Sequence, residues 1–158
     1  MIYGLTTFAW VHTILSLVGL VSGLVVLIGL LGSNKLGGWT ALYLVSAVAT
    51  SVTGFGFPVD KFQASHWVGA ISLVVLAAAI LARYVFHFAG AWRWVYALGV
   101  VLSLYLLVFV GIAQLFKKVP ALAAMAPTLS EQPFAITQLA AMAVFVVLAI
   151  AAAIKFRP

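Results

Sequence analysis

The chain has no cysteine and only two acidic residues, Asp60 and Glu131, among its 158 positions. Without cysteine it can form no disulfide, thiolate metal site, iron–sulfur cluster or catalytic thiol. Charged residues make up 6% of the sequence, whereas an average soluble domain carries about 25%. So few charged side chains cannot cover a water-facing surface. The composition therefore predicts a protein surrounded by lipid.

The scarcity of carboxylates also argues against several kinds of catalysis and transport. No Asp or Glu lies inside an apolar segment, where it could orient a catalytic histidine or carry a coupling ion. The glycines of GFGFP and LGG are not followed by Lys-Ser or Lys-Thr, so these segments are not phosphate-binding loops. A hydrolase and a secondary transporter acting alone are disfavoured, whereas a passive conduit stays open.

Long apolar segments are what the chain has in abundance. Hydrophobic residues make up 66% of it, and a helix of about 20 apolar residues spans a bilayer. Five such segments are separated mostly by short turns, which predicts an all-α membrane protein: a single domain, 1–158, built as a bundle of five transmembrane helices. The predicted helices cover residues 8–31, 38–57, 66–88, 94–116 and 131–154. In the longest loop, PALAAMA predicts a short interfacial helix.

Basic residues are distributed unevenly between the two ends of this predicted bundle. We call the end that holds the start of the first helix side A, and the opposite end side B. Side A holds three basic residues, and side B holds five: Lys35, Arg83, Arg93, Lys155 and Arg157. Because basic residues accumulate in cytoplasmic loops, this bias predicts a periplasmic N-terminus and a cytoplasmic C-terminus.

The basic residues stand at the ends of apolar segments and form no patch, so nucleic acid is not an expected partner. Arg83, Tyr84 and His87 lie close enough to the side-B surface for their polar tips to reach water. The expected surroundings are the lipid bilayer. Because the loops carry so little charge, self-association or a partner membrane subunit is also expected.

Small residues follow one face of the first predicted helix. His12, Ser16, Gly19 and Gly23 recur at helical spacing, and small residues at this spacing let membrane helices approach closely. Close packing is sufficient to explain the small members of this face. The histidine on the same face needs a further explanation.

Each predicted helix also carries a hydrogen-bonding side chain at a similar depth near side A. These residues are His12, Thr53, His66, Gln114 and Gln138. Polar groups inside a membrane are costly and usually face a partner or a cavity. Two interpretations stay open. The five residues either make interhelical hydrogen bonds and interfacial anchors, or they line a pocket open to side A with His12 and His66 as its reactive members.

The pocket interpretation admits three kinds of ligand. A quinone or a lipid would use the histidines and glutamines as hydrogen-bond partners. A b-type haem would take His12 and His66 as axial ligands, with Gly19 and Gly69 making room for the ring. A divalent metal would be poorly held by two imidazoles without a carboxylate inside the bundle. We therefore predict no metal site apart from the haem case, and no catalytic residue.

Three segments carry a resemblance to known sequences: GFPVDKFQASHWVG, ILARYVFHFAGAWRWVY and KKVPALAAMAPTLSEQPF. Together they resemble a group of small, uncharacterised multi-pass membrane proteins of proteobacteria, over most of the chain. The resemblance implies a location in the bacterial inner membrane. It implies no activity, cofactor or site residue.

The expected function is that of a non-catalytic membrane protein that binds a small apolar or redox ligand near side A. The alternative is a structural or assembly subunit of a larger membrane complex, with no ligand of its own. An electron-transfer haem protein is the leading enzymatic alternative.

Overall fold

A computed structural model describes residues 7–34, 36–54, 64–125 and 131–156. All regular secondary structure in these ranges is helical. The helices are α1 Thr7–Leu31, α2 Gly37–Gly54, α3 Ala64–Ile80, α4 Trp92–Lys118, α5 Pro120–Met125 and α6 Gln132–Lys155, and a π-helical turn, Leu81–Val85, extends α3.

The prediction of an all-helical, membrane-type protein is confirmed. Within the described residues, four helical segments are long and apolar enough to cross a membrane: Trp10–Leu31, Trp67–Val85, Trp92–Ala113 and Gln132–Lys155. The α2 helix is not among them. Its described part has 18 residues and includes a dense set of hydroxyl side chains, such as Thr40, Ser46 and Thr50.

The predicted helix boundaries are close to the observed ones, with one change of helix type. The third predicted helix, 66–88, begins two residues earlier and leaves the α-helical form after Ile80. The predicted end of the second helix at residue 57 lies outside the described residues. The segment PALAAM forms α5, as the sequence predicted for a short helix.

Successive long helices run in opposite directions, and side-chain contacts fix their register. Near side A, the start of α1 meets the end of α2 through His12 and Thr53. Near side B, the start of α4 meets the end of α6, where the Arg93 guanidinium donates to the Phe156 carbonyl. The ends defined from the sequence as side A and side B are therefore the two ends of the folded bundle.

The tightly packed core lies toward side B. Its centre is Tyr43 of α2, which is fully buried among α1 and α4 residues such as Leu30 and Leu104. The Ser103 hydroxyl donates to the Val100 carbonyl, so the Tyr43 hydroxyl donates in turn to Ser103. This buried pair joins α2 to α4 without leaving a polar group unpaired, as burial in an apolar core requires.

Glycines let α1 approach both of its neighbours. A Cβ atom built on Gly23 would lie 2.6 Å from Leu104 Cδ1 and 2.9 Å from Tyr43 Cε1. One built on Gly19 would lie 3.1 Å from Leu107 Cδ2 and 3.5 Å from Ser46 Oγ. The predicted small-residue face of α1 is therefore the face that packs against α2 and α4.

Candidate functional site

Two of the five predicted polar residues contact each other across the α1–α2 interface. The His12 Nδ1 atom lies 2.7 Å from the Thr53 Oγ1 atom. His12 is in the second turn of α1 and Thr53 in the last described turn of α2, so the pair lies near side A. Both side chains are half-buried. A polar side chain at this depth therefore meets a polar partner, as expected inside a membrane.

The surroundings of Thr53 determine which tautomer His12 adopts. The Thr53 hydroxyl lies 2.7 Å from the Ala49 carbonyl oxygen and 3.1 Å from the Thr50 carbonyl oxygen, both of which can only accept. The single hydroxyl proton is therefore directed into α2, and His12 Nδ1 must be the donor to Thr53. In the neutral imidazole, Nε2 then carries the lone pair and acts as an acceptor.

Gln138 contributes a second acceptor near the same end of the bundle. Its side-chain nitrogen donates to the Phe109 carbonyl of α4 at 3.1 Å, which ties α6 to α4. Its Oε1 atom is buried and has no hydrogen-bond partner. A buried acceptor without a donor is uncommon in folded proteins and costs free energy. The position thus suits an added donor, such as a hydroxyl group or a water molecule.

The other two predicted residues are placed by their backbones alone. His66 belongs to the first turn of α3, at side A, and Gln114 belongs to the last two turns of α4, also toward side A. Their side chains lie outside the described residues. The structure therefore brings His12 and Thr53 together and ties Gln138 to α4. For His66 and Gln114 it shows only that the helix ends that carry them lie at side A.

Packing is looser toward side A than toward side B. On α1, every buried side chain that is described lies at Gly19 or beyond. On α4, residues 105–113 are all half-buried, whereas most residues between 96 and 104 are buried. The polar residues therefore lie in the half of the bundle that has fewer buried side chains among the described residues, although Phe116 and Gln138 are buried there.

The space beside Gly19 is filled by protein. Leu107 and Ser46 occupy the position into which a side chain at residue 19 would extend. A porphyrin ring needs an open slot between helices, and Gly19 does not provide one. In this structure the small size of Gly19 serves helix packing, and a haem beside it stays a prediction.

Two concave surfaces of the described residues are open and apolar, and neither is lined by the predicted polar residues. One is an open apolar groove between α1 and α2, lined by residues such as Leu17, Val21 and Trp39. The other lies along α6 beside Val144 and Val147. In the described part of the chain, no group of three or more His, Asp or Glu residues could hold a metal ion.

A cluster at side B was missed by the sequence analysis. The Arg83 guanidinium donates to the Tyr96 hydroxyl at 2.8 Å, and its central carbon lies 5.5–5.7 Å from the ring centres of Tyr84, Phe88 and Tyr96. Arg83 is half-buried rather than extended into water. Such cation–ring contacts are worth about 0.5–1 kcal/mol at exposed sites and more when desolvated.

The turn after the π-helix makes this cluster. His87 and Phe88 have φ values of +48° and +62°, and the Phe88 N–H donates to the Ala82 carbonyl at 2.9 Å. This left-handed turn directs Phe88 back onto Tyr96 and Phe156, with ring centres 4.9 and 5.3 Å away. A dense run of aromatic residues that includes two arginines, RYVFHFAGAWRW, was the available signal in the sequence.

Comparison with protein-family models finds no matching family. Comparisons with curated proteins and with solved structures find no significant match either.

Proposed function

We propose that the chain is an integral protein of the bacterial inner membrane. All five long helices cross the bilayer, α2 included, with the N-terminus in the periplasm. Its function is to bind a small amphiphilic or redox-active molecule of the quinone or lipid class near side A, without catalysing a reaction itself. The site is formed by His12, Thr53, His66, Gln114 and Gln138. The His12–Thr53 hydrogen bond is the observation that supports this proposal most directly.

Several features of the described residues support a ligand at this end. The His12 imidazole is held across two helices by Thr53, and an acceptor near the same end, Gln138 Oε1, is buried without a donor. The surrounding helices are only partly enclosed by one another. Uncharged acceptors suit a hydroxyl-bearing head group better than an anion. The filled space beside Gly19 makes a quinol or a hydroxylated lipid a better candidate than haem.

The nature of the ligand is tested by purifying the protein in mild detergent. An absorption spectrum, recorded oxidised and then reduced with dithionite, reports haem directly through its Soret, α and β bands. Organic extraction and mass spectrometry then identify a bound quinone or lipid. We expect a spectrum without a Soret band and one quinone or lipid retained in near-stoichiometric amount. A protein with neither pigment nor retained molecule would contradict the proposal.

Removing the Thr53 hydroxyl group, which accepts the hydrogen bond from His12, should weaken ligand binding. Thr53→Val keeps the shape of the side chain but leaves His12 Nδ1 without its partner. We expect retention of the co-purified molecule to fall by up to about tenfold, equivalent to ~1.4 kcal/mol. The matched control is Ser51→Ala, because the Ser51 hydroxyl donates only to its own helix, at the Ala47 carbonyl. Equal retention in the two variants would contradict a role for Thr53.

Gln138→Met distinguishes ligand binding from a purely structural role. Methionine has a similar length and no buried acceptor. If a ligand donates to Oε1, the variant should lose most of the retained molecule. If no ligand binds there, the variant removes the unpartnered Oε1 acceptor together with the Nε2 bond to the Phe109 carbonyl, so stability should change by no more than about 1 kcal/mol in either direction. Thermal unfolding and ligand extraction on the same samples measure both quantities.

The alternative function is that of a structural or assembly subunit, and α6 is the observation that favours it. Between Leu139 and Ala151 no α6 side chain is buried, so a long apolar face is available for lipid or for another membrane helix. An assembly subunit would be colourless and ligand-free. It would also retain a partner membrane protein, or a second copy of itself, through solubilisation.

A further inference from the structure

Positive charge accumulates at side B without a carboxylate side chain to balance it. Arg83, Arg93 and Lys155 are the described basic residues of this end, and the sequence adds Lys35 and Arg157. The only two acidic residues belong to side A. Asp60 lies in the segment between α2 and α3, and Glu131 immediately precedes α6.

The acidic residues are too far away to neutralise this charge. Glu131 and Lys155 lie at opposite ends of α6, whose 24 residues extend about 36 Å at 1.5 Å per residue. Interactions between exposed charges are screened beyond a Debye length of about 8 Å at physiological salt. The acidic side chains of the sequence therefore do not balance the basic residues of side B.

Internal hydrogen bonds to neutral groups position both arginines at this end. Arg83 donates to the hydroxyl of Tyr96, and Arg93 donates to the backbone carbonyl of Phe156 at 2.8 Å. Both acceptors are neutral. The Tyr96 and Phe156 rings lie 5.4 Å apart, so the two guanidinium groups flank one aromatic cluster. Lys155 precedes Phe156 and is exposed.

We propose that this end of the bundle is a binding site for the head group of an anionic phospholipid. Arg83 and Arg93 are half-buried at the ends of spanning segments, where lipid phosphates lie. A guanidinium group matches a phosphate oxygen pair in geometry as well as charge. Aromatic residues around them, including the stacked Phe86 and Trp92 with ring centres 4.2 Å apart, are typical of the head-group level.

The π-helical turn contributes to this site. This turn, Leu81–Val85, has about one more residue per turn than an α-helix. Arg83 is the middle one of its five residues. Single π-turns inside helices occur frequently at functional positions. The proposal depends on insertion of the bundle in a membrane, and is independent of any ligand near side A.

The test compares lipids that differ only in charge. The detergent-solubilised protein is mixed with equal amounts of phosphatidylglycerol and phosphatidylcholine of identical acyl chains, and bound lipids are counted by native mass spectrometry. We expect a clear preference for phosphatidylglycerol. Lys155→Gln and Arg93→Gln should each reduce that preference about fivefold, which is the effect of one basic residue near an anionic surface.

Matched variants separate the site from the general effect of net charge. Arg93→Lys keeps the positive charge near the Phe156 carbonyl but loses the paired donors of the guanidinium group, so its preference should fall between wild type and Arg93→Gln. Lys61→Gln removes one charge from the segment at the opposite end and should have no effect. Lys155 is exposed, so its replacement leaves the core intact, and circular dichroism confirms that each variant is folded.

Three results would overturn the proposal: equal retention of the two lipids, unchanged preference in both Gln variants at side B, or an equal loss of preference in Lys61→Gln. Added inorganic phosphate identifies the source of the recognised group. We expect millimolar phosphate to displace no phosphatidylglycerol, because a free anion lacks the acyl chains that hold the head group beside the bundle. Full displacement would instead show a site for soluble phosphate.

Discussion

Gly23→Leu is expected to cost about 1–3 kcal/mol or more, because it forces extra atoms into a filled core. Even the first added carbon would lie 2.6 Å from Leu104 and 2.9 Å from Tyr43, well inside van der Waals contact. The leucine would move α1 away from both α2 and α4, and the buried hydrogen bond between Tyr43 and Ser103 would be disturbed. Denaturant unfolding in mixed micelles, followed by circular dichroism, measures the loss.

Gly111→Leu provides the matched control. Gly111 also lies inside a long helix, α4, but a Cβ atom at this position meets nothing within 4 Å. We expect this variant to unfold near the wild-type midpoint, and Gly23→Ala to fall between wild type and Gly23→Leu. Equal destabilisation by leucine at residues 23 and 111 would show that α1 does not pack against α2 and α4 as described.

Tyr96→Ala is expected to produce the second large loss, about 3–5 kcal/mol, because it leaves a cavity at the side-B end of the core. Tyr96 is 1% exposed and contacts the rings of Phe88 and Phe156. It therefore connects the turn after α3 with α4 and the end of α6. Thermal unfolding midpoints of the purified variants measure the effect.

Tyr96→Phe isolates the hydroxyl group from the ring. The aromatic contacts remain, and only the acceptor for Arg83 is lost, so we expect a cost of about 1–3 kcal/mol if the guanidinium finds no replacement. The double variant Tyr96→Phe, Arg83→Leu should recover part of this loss, because both partners are then apolar. A double variant that is less stable than the sum of the two single changes would contradict the direct pairing of the two residues.

The sequence was most informative about the helices and their approximate limits. Length and apolar composition predict a spanning helix almost without regard to neighbouring residues, because no other structure satisfies the backbone in lipid. The small-residue face of α1 was also predictable, since Gly19 and Gly23 follow helical spacing. In contrast, the residues that fill the space opposite these glycines could not be predicted. Leu107 and Tyr43 are among them, and their positions depend on the arrangement of all the helices.

The sequence predicted how deep the polar residues lie in the membrane, but not which residues form hydrogen bonds with one another. His12 and Thr53 were placed near the same end from their positions in the sequence, and the structure joins them. The partner of Arg83 could not be predicted in this way, because the polar tip of an arginine near a membrane surface can simply reach water. Its bond to Tyr96 depends on a π-turn and on a left-handed turn at His87 and Phe88.

The π-turn also limits what a helical-spacing argument can predict. A continuous α-helix over the predicted range 66–88 would place five residues on one stripe: His66, Ala70, Ala77, Tyr84 and His87. The structure leaves the α-helical form after Ile80, and the positive φ of His87 ends the helical run. Local sequence preferences do not distinguish one widened turn from a regular one, so the stripe holds only up to that point.

The light burial of α6 has a consequence for how the protein is made. Its buried side chains are Gln138 near one end and Ala152 near the other, followed by Phe156 just past the helix. The four earlier long helices contact one another in sequence and bury most of the core among themselves. During synthesis they can therefore complete their mutual packing in the membrane before α6 leaves the ribosome. The last helix then packs along α4, against a surface that the earlier helices have already formed.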